Sequence, residues 1–337
     1  MTTTAVFQRV HEYIRKQNNR GLAGWLFEGM GEKRLVPPYT NDTYLTASKL
    51  HGLCPRLETL RIKYELPKDE SVNPELSWIF DVGKLYHTMY RCWYLGPRGV
   101  YLGKWRCIRC GWDSDGEGGP DELGPGGVPL KSYCPPPSHP SKKPIRMVPM
   151  PEKCPECGAP RFAPDWTASG REVDGEHNLI VFDEWMMVNE EYGIRAKSDG
   201  NRRSIVTGKV IGQELKSISA YGFSQVKKKG MGHKPEHKTQ AMVTAWMAGL
   251  DAVEVVYLNK AGWKEPGEIV HPVLVKVDMD YLDSYVFTPV RTMRKHISDG
   301  TVAPPLTACA SRRVAKVKDC DFADVCFEER KREANIK

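Results

Sequence analysis

The chain has 337 residues, of which 40% are hydrophobic and 27% are charged, and this balance excludes a disordered or fibrous protein. Its formal net charge of +7 permits an anionic partner without requiring one. No run of about 18 apolar residues is present, and residues 1–17 carry charges where a signal peptide needs an apolar stretch. We therefore expect no membrane segment and a cytoplasmic, intracellular protein of a bacterial or phage-like kind.

Hydrophobic periodicity predicts helices in the first third of the chain. Apolar residues recur at helical spacing over residues 6–14, 53–64 and 74–95. A stretch rich in glycine and proline follows over residues 116–151, which predicts irregular loop rather than packed core. Two Cys-x-x-Cys pairs bracket this stretch, so residues 105–161 are predicted to form a small module inserted into a larger fold.

Strand patterns dominate the second half of the chain. The predicted elements are, in order, strands over residues 179–187, 192–199 and 204–219, a helix over 234–249, strands over 252–258 and 272–277, and a partly helical tail over 283–337. The strand over 252–258 is rich in valine, which indicates burial on both faces.

An acidic pair with a lysine stands on two of these strands. Glu214 and Lys216 lie two apart, so they project from the same face of a strand, while Leu215 points into the core. The preceding strand ends at Asp199, and Gly200 to Arg202 supply turn residues. A strand that returns after this turn would bring Asp199 beside Glu214.

Two carboxylates on adjacent strands form a site for a hard divalent cation such as Mg²⁺ or Mn²⁺. Such an ion activates a water and stabilises the leaving oxygen of a phosphodiester, while a neighbouring lysine holds the attacking water. A Glu-x-Lys triplet alone usually marks a solvated face. This one is distinguished by its strand setting and by the strand before it that ends in aspartate.

The order of these motifs resembles the RecB-like branch of the PD-(D/E)XK nucleases. The helix-borne histidine motif of that branch is similar to Gly83-Lys84-Leu85-Tyr86-His87, its Asp motif to residues 193–199, and its Glu-x-Lys motif to Glu214-Leu215-Lys216. The helix and strand that close the site in that branch are similar to residues 237–240 and 252–260. The chain departs from the pattern because no proline precedes Asp199 and Thr244 stands where a tyrosine is frequent.

The resemblance implies an α/β fold in which a mixed central sheet is flanked by helices. It further implies a catalytic set with a shared metal site. The catalytic residues would be His87, Asp199, Glu214, Lys216 and Gln240. His87, Asp199, Glu214 and the Leu215 carbonyl would hold the metal, and an imidazole ligand suits Mn²⁺ better than Mg²⁺. For His87 alone, the alternative is a buried helix histidine.

Four cysteines in two pairs predict a zinc site. Cys107 and Cys110 form one pair, Cys154 and Cys157 the other, and a glycine follows each pair directly. Four thiolates satisfy tetrahedral Zn²⁺ and fold a module that is too small to fold alone. The alternative is a redox dithiol, which two matched pairs disfavour.

A second cysteine set is Cys54 with Cys309, Cys320 and Cys326. Its layout resembles the iron–sulfur staple of AddB-type and CRISPR-adaptation nucleases, which implies a [4Fe–4S] cluster that ties the two chain ends together. Zn²⁺ at the same site and four unconnected buried cysteines are the alternatives. The other two cysteines, Cys92 and Cys134, are predicted to be structural.

A run of basic residues lies between the Glu-x-Lys strand and the Gln240 helix. Its lysines are Lys227, Lys228, Lys229, Lys234 and Lys238. Beside a phosphodiesterase site they would neutralise DNA phosphates without reading sequence, and the alternative is a solvated loop. Tyr221 and Phe223 are candidates for base stacking, with core packing as the alternative.

The sequence therefore predicts a metal-dependent DNA exonuclease that acts in replication, recombination or repair. Its parts would be an N-terminal helical part over residues 1–104, the zinc ribbon over 105–161, and the nuclease core with the cysteine cluster over 162–337. The alternatives are a non-catalytic DNA-end-binding scaffold and a structure-specific or RNA-directed endonuclease. No phosphate-binding loop of the helicase type is present, so unwinding would need a helicase or another replication or recombination protein as partner.

Overall fold

The computed structural model describes residues 44–65, 74–114, 147–162, 179–203, 210–261, 268–309, 320 and 322–335. The predicted helix over 6–14 and Cys134 lie outside these residues. The chain divides into two compact units, Met1–Asn41 with Pro67–Leu85 and Asp42–Leu66 with Tyr86–Lys337. Of the first unit, the described residues form the beginning of one helix. All the predicted site residues belong to the second unit.

Strands of the second unit form two sheets. The strands are β1 Leu45–Thr46, β2 Tyr101–Cys107, β3 Val148–Pro149, β4 Ile180–Asp183, β5 Trp185–Asn189, β6 Ile194–Ser198, β7 Asn201–Arg203, β8 Val210–Ile218, β9 Ala252–Asn259 and β10 Val270–Lys276. The small sheet has the order β1-β6-β5, and the large one β10-β9-β8-β7-β2-β3 with β4 also paired to β2. Both are mixed, because β1 with β6 and β8 with β9 run parallel while the other pairs are antiparallel.

Helices flank these sheets. They are α1 Pro55–Lys63, α2 Pro74–Thr88, α3 Ala220–Lys229, α4 Pro235–Met247, α5 Met279–Leu282, α6 Thr288–Ser298 and α7 Ala323–Asn335. A π-helical segment, Met89–Leu95, continues α2, and another, Asp283–Phe287, joins α5 to α6. Among the helices of the described residues, none combines the length and apolar composition that a membrane crossing needs.

The main core surrounds the second half of α4, where most residues are buried. Ala241, Met242 and Val243 are fully buried, as is usual for a helix enclosed by the fold. They pack with residues of β5, β6 and β9 in one hydrophobic cluster. Burying each such aliphatic side chain stabilises the fold by roughly 1.5–3 kcal/mol. The helix is therefore rigidly held, and its polar residues are fixed against β8.

The predicted elements are largely confirmed. The helices over 53–64, 74–95 and 234–249 and the strands over 192–199, 252–258 and 272–277 all form, with ends shifted by a few residues. The predicted strand over 204–219 forms as β8, and residues 204–209 lie outside the described part.

Three details of the sequence prediction were wrong. The single strand predicted over 179–187 is two strands, because β4 pairs with β2 whereas β5 pairs with β6 in the other sheet. Asn201 and Arg202, predicted as turn residues, form β7 and pair with β8. Helix α3 was not predicted; its start is capped by Ser219, whose Oγ accepts a hydrogen bond from the Gly222 N–H at 3.2 Å.

Candidate active site

Asp199 lies at the corner where the chain passes from the small sheet to the large one. β6 ends at Ser198 and β7 begins at Asn201, so Asp199 and Gly200 form the connection. Gly200 has a φ of +123°, and a Cβ there would lie 2.5 Å from the Tyr101 hydroxyl, so the corner requires glycine. The predicted approach to β8 is present, because the Leu215 N–H donates to Asp199 Oδ2 at 2.8 Å.

Glu214, Lys216 and Gln240 form a closed set of hydrogen bonds. The first two share one face of β8, as their spacing predicts. Lys216 Nζ lies 2.8 Å from Glu214 Oε1 and donates to Gln240 Oε1 at 2.8 Å. Gln240 Nε2 donates in turn to Glu214 Oε1 at 2.8 Å. The buried helix α4 therefore positions both strand residues through one amide side chain.

The other carboxylate oxygen of Glu214 has no partner among the residues that the structure describes. Oε2 is buried and accepts no hydrogen bond there, and the whole residue is only 2% exposed. Burial raises the pKa of Glu214 to about 7, against the opposing attraction of Lys216. An ionised oxygen in such a place is costly unless a cation or a proton lies against it.

Lys216 stays charged beside this carboxylate. Burial works against its charge, but the Glu214 carboxylate raises the pKa of Lys216 above its ordinary value. The ammonium group therefore remains a hydrogen-bond donor at neutral pH. Leu215, between the two, packs its side chain with Val256 and Leu258 as predicted, while the role of its carbonyl stays a prediction.

His87 reaches Asp199 from the last turn of α2. Its Nδ1 lies 3.8 Å from Asp199 Oδ1, and its side chain is 23% exposed. Burial lowers the pKa of His87, with the nearby Arg91 guanidinium acting in the same direction. A neutral imidazole offers a lone pair for a metal ion.

Arg91 is a residue of this site that sequence reasoning missed. It follows His87 by four positions, and residues four apart on a helix face the same way, which was the available signal. Its Nη2 donates to Asp199 Oδ1, and the Tyr101 hydroxyl donates to the Asp199 carbonyl. Arg91 thus binds one carboxylate oxygen of Asp199, the Leu215 N–H binds the other, and Tyr101 binds the backbone carbonyl.

One cavity joins these groups. Its volume is about 420 Å³, and His87, Asp199, Glu214, Lys216 and Gln240 all line it. The other polar residues of its wall are Thr46, Ser48, Glu184, Arg195, Lys197 and Thr244. This basic wall was not predicted, although Arg195 and Lys197 stand two apart on β6 and therefore share a face.

The residues present fit a divalent cation. An imidazole and two carboxylates form a donor set suited to Mn²⁺ or Mg²⁺. The unpartnered Oε2 of Glu214 is the observation that tests this fit, since it is a buried acceptor that nothing in the described protein satisfies. Thr244, where the related pattern often has tyrosine, likewise has a buried hydroxyl without a partner in the described residues.

Two Cys-x-x-Cys turns face each other at the end of β2. The sulfurs of Cys107, Cys110, Cys154 and Cys157 lie within 4.8 Å of one another, and this group could hold a metal ion. Cys107 Sγ lies 3.8 Å from Cys157 Sγ, and Cys110 Sγ lies 3.6 Å from Cys154 Sγ. A tetrahedron with metal–sulfur bonds of about 2.3 Å has edges of about 3.8 Å, so the spacing matches a Zn²⁺ site.

Glycine makes each of these turns possible. Gly111 has a φ of +79° and Gly158 a φ of +69°, and each N–H donates to the carbonyl of the first cysteine of its pair at 2.9 Å. The Ala159 N–H lowers the pKa of Cys157 to about 7, as suits a metal-binding thiolate. Strand β2 joins the predicted module over residues 105–161 to the large sheet, because β2 pairs with β7. The predicted boundary at residue 104 therefore falls inside β2, and the division into domains stays a prediction.

The second cysteine set lines a separate cavity of about 470 Å³. Cys54, Cys309, Cys320 and Cys326 all belong to its wall. The residues that the structure describes bring these four cysteines to one cavity wall, and whether they hold an iron–sulfur cluster or Zn²⁺ stays a prediction. Arg56 is buried beside them and its Nε donates to Cys326 Sγ at 3.2 Å. Cys92 is buried in another cluster and is structural, as predicted.

The basic run lies on α3 and at the start of α4. Lys227, Lys228 and Lys229 are in the last turn of α3. The base-stacking candidate Phe223 is wrong, because its ring is 4% exposed and belongs to the main core. Tyr221 is 73% exposed and stays a candidate. Lys238 Nζ lies 4.9 Å from the centre of the Tyr281 ring.

No protein-family model and no curated protein matches the chain. Among solved structures, an alkaline exonuclease from Laribacter hongkongensis matches with a TM-score of 0.27 and 17% identity, over 34% of this chain and 58% of that one. The same exonuclease in complex with dAMP gives the same values. The protein SSO0001 matches with a TM-score of 0.36 and 11% identity, over 89% of this chain and 96% of that one. The chain spans about 58% of the length of the alkaline exonuclease.

Proposed function

We propose that this chain is a divalent-metal-dependent nuclease that hydrolyses phosphodiester bonds of DNA, built on a RecB-like PD-(D/E)XK core. The observation that carries the proposal is the buried Oε2 of Glu214, which has no partner within the described part of the chain, on a residue that lines one cavity with Asp199, His87 and Lys216. A buried carboxylate oxygen of this kind is expected where a cation binds.

Each residue of the proposed active site has its own role. His87, Asp199, Glu214 and the Leu215 carbonyl would hold the metal, which supplies a water of lowered pKa and stabilises the leaving oxygen. Lys216 stays charged, holds the attacking water and offsets negative charge that develops on the phosphate. Gln240 acts as a positioning residue, because it bonds both Lys216 and Glu214.

The cavity wall favours a nucleic-acid substrate. Arg195 and Lys197 line the same cavity as the two carboxylates, with Lys197 bonded to Glu184 at 3.1 Å, and a phosphodiester would approach through this cavity. The lysines of the basic run, Lys227, Lys228, Lys229, Lys234 and Lys238, would extend this positive path along the backbone. Cleavage from a DNA end is the finer part of the proposal, and an accompanying helicase or other replication or recombination protein is the proposed partner.

Two further metal groups belong to the proposal. The sulfur–sulfur distances support one structural Zn²⁺ on Cys107, Cys110, Cys154 and Cys157, with no open position for water. A [4Fe–4S] cluster on Cys54, Cys309, Cys320 and Cys326 is supported by the cavity that all four cysteines line. In this scheme the zinc ribbon is an insertion between residues 1–104 and the remaining core over 162–337.

The decisive experiment is a cleavage assay on linear, circular, single-stranded and RNA substrates with Mn²⁺ or Mg²⁺. We expect linear DNA to be cleaved, EDTA to stop the reaction, and Glu214→Ala or Lys216→Ala to abolish it while DNA binding remains. The matched control is Lys276→Ala, an exposed lysine on β10. DNA binding without cleavage would favour the end-binding scaffold, and cleavage of circular DNA or RNA would favour an endonuclease.

A further inference from the structure

Arg91 is a buried cation in the wall behind the proposed metal site. The residue is 5% exposed, and the centre of its guanidinium lies 4.3 Å from the centre of the Phe182 ring. Burial works against its charge, but Asp199 raises the pKa of Arg91 above its ordinary value, so the side chain is charged. It is not among the residues that line the cavity, whereas its partners His87, Asp199 and Glu184 are.

The guanidinium lies against one acceptor atom of each of two proposed metal ligands. Its Nη2 donates to Asp199 Oδ1 and is 3.4 Å from His87 Nδ1. Those two acceptor atoms are 3.8 Å apart, a span that one cation with bonds of about 2.0–2.2 Å can bridge. A neutral imidazole nitrogen has a single lone pair, so it cannot serve Arg91 and a metal together.

A second acceptor for Arg91 lies close by. Glu184 Oε1 is 3.7 Å from Arg91 Nη1, while its other oxygen, Oε2, accepts a hydrogen bond from Lys197 Nζ at 3.1 Å; the Glu184 side chain is 39% exposed and lines the same cavity. Arg91 Nε, by contrast, is buried without a hydrogen-bond partner in the described residues. The guanidinium is therefore incompletely satisfied against Asp199, and a small shift would bring it to Glu184.

We propose that Arg91 is an internal counter-cation that occupies the place between His87 and Asp199 in the metal-free protein and turns to Glu184 when a divalent cation binds. This inference rests on the proposed metal site. Arg91 is then a positioning residue. Its positive charge offsets the charge of the carboxylates before the metal binds. Because the guanidinium must first be displaced, Arg91 also weakens metal binding.

The test is a calorimetric Mn²⁺ titration of the full chain, without DNA. We expect Arg91→Met to bind Mn²⁺ about tenfold more tightly than the unaltered protein, because a competing positive charge is removed. Arg91→Lys keeps the charge and should stay close to the unaltered affinity. Arg202→Met is the matched control, since Arg202 on β7 pairs across β8 with Glu254 on β9 and neither residue lines the cavity, so its loss should leave the affinity unchanged.

A double-mutant cycle tests the second position of the guanidinium. Glu184→Gln should weaken Mn²⁺ binding severalfold when Arg91 is present, because Arg91 then has no negatively charged partner to move to. The same change should have a clearly smaller effect in the Arg91→Met background. Glu184 is partly exposed, so this variant keeps the idea testable if Arg91→Met does not fold.

The outcomes separate the two proposals. If Glu214→Ala loses Mn²⁺ binding while Arg91→Met binds no more tightly than the unaltered protein, the displaced-cation idea is wrong and the metal site stands. If Glu214→Ala binds Mn²⁺ normally, or neither the unaltered protein nor Arg91→Met binds it, the metal site itself is wrong, and the role of Arg91 is wrong with it.

Discussion

Replacing Glu214 by glutamine should remove a specific pH dependence of folding stability. Burial raises the pKa of Glu214 from 4.5 to about 7 in the folded protein, with Lys216 opposing the shift. A carboxyl with a raised pKa in the folded state contributes stability that is full below its unfolded pKa and is lost as the pH rises through its folded pKa. The metal-free protein should therefore lose stability over the interval between about pH 5 and pH 8.

The magnitude follows from the size of the shift. A difference between 4.5 and about 7 corresponds to roughly 3 kcal/mol of unfolding free energy. Glutamine has nearly the same shape and no charge to lose, so Glu214→Gln should show none of this decline. The variant also loses the charged partner of Lys216. This loss lowers its unfolding free energy by the same amount at every pH in this interval, so it adds no pH dependence.

The assay is urea unfolding followed by tryptophan fluorescence, at fixed ionic strength, in buffers from about pH 5 to pH 8 without added Mg²⁺ or Mn²⁺. His87 and Cys157 also change protonation in or near this interval, but they are common to both proteins and cancel in the difference. Adding Mn²⁺ at the upper end should restore stability to the unaltered protein alone. If the unfolding free energies of the two proteins change with pH in parallel, the claim that Glu214 Oε2 is buried without a partner is wrong.

Three other expectations concern different parts of the molecule. The Cys110→Ser protein should lose zinc and keep iron. The Cys326→Ser protein, purified anaerobically, should lose its visible absorption and keep zinc. If metal analysis finds both contents unchanged in the two variants, the two assignments are wrong. The double variant Lys228→Gln, Lys229→Gln should weaken DNA binding to the same extent for all DNA sequences. The slope of log affinity against log salt concentration should fall by about 1 for each phosphate that is no longer neutralised. An unchanged slope would show that these lysines do not contact DNA. Gln240→Ala removes hydrogen bonds to charged groups, which are worth roughly 1.5–3 kcal/mol each. Cleavage should therefore be slower, with little change in DNA affinity. A cleavage rate equal to that of the unaltered protein would contradict the positioning role of Gln240.

The parts of the site that the sequence predicted depend on short-range regularities. Alternation along β8 is enough to place Glu214 and Lys216 on one face with Leu215 on the other. Helical spacing is enough to place Gln240 on a helix that follows. The two Cys-x-x-Cys turns are likewise local, because each closes on its own glycine.

The parts that were missed depend on tertiary context. Arg91 is a site residue because Asp199 lies where the chain passes from one sheet to the other. The sequence predicted a turn after Asp199, but not that the two strands it joins belong to different sheets. β2 was not predicted because it is buried on both sides over most of its length, so it lacks a simple alternation. Phe223 looked available for stacking, but α3 turns it into the main core.

The cysteine sets show the same division between local and distant information. Cys54 and Cys326 are separated by most of the chain and meet because α1 and α7 are joined by ion pairs, including Arg56 with Glu333 at 3.1 Å and Lys63 with Glu329 at 2.5 Å. Neither pairing has a sequence signature. Their convergence on one cavity therefore could not be worked out from spacing, whereas the zinc site could.

The most direct test of the central claim is a crystal structure of the chain grown with Mn²⁺, with anomalous scattering recorded above the manganese edge. We expect an anomalous peak within coordination distance of Asp199, Glu214 and His87, and Glu214 Oε2 should have the ion as its missing partner. A peak elsewhere, with Glu214 Oε2 still unpartnered in a crystal that contains bound Mn²⁺, would contradict the claim that this cavity is a metal-dependent nuclease site.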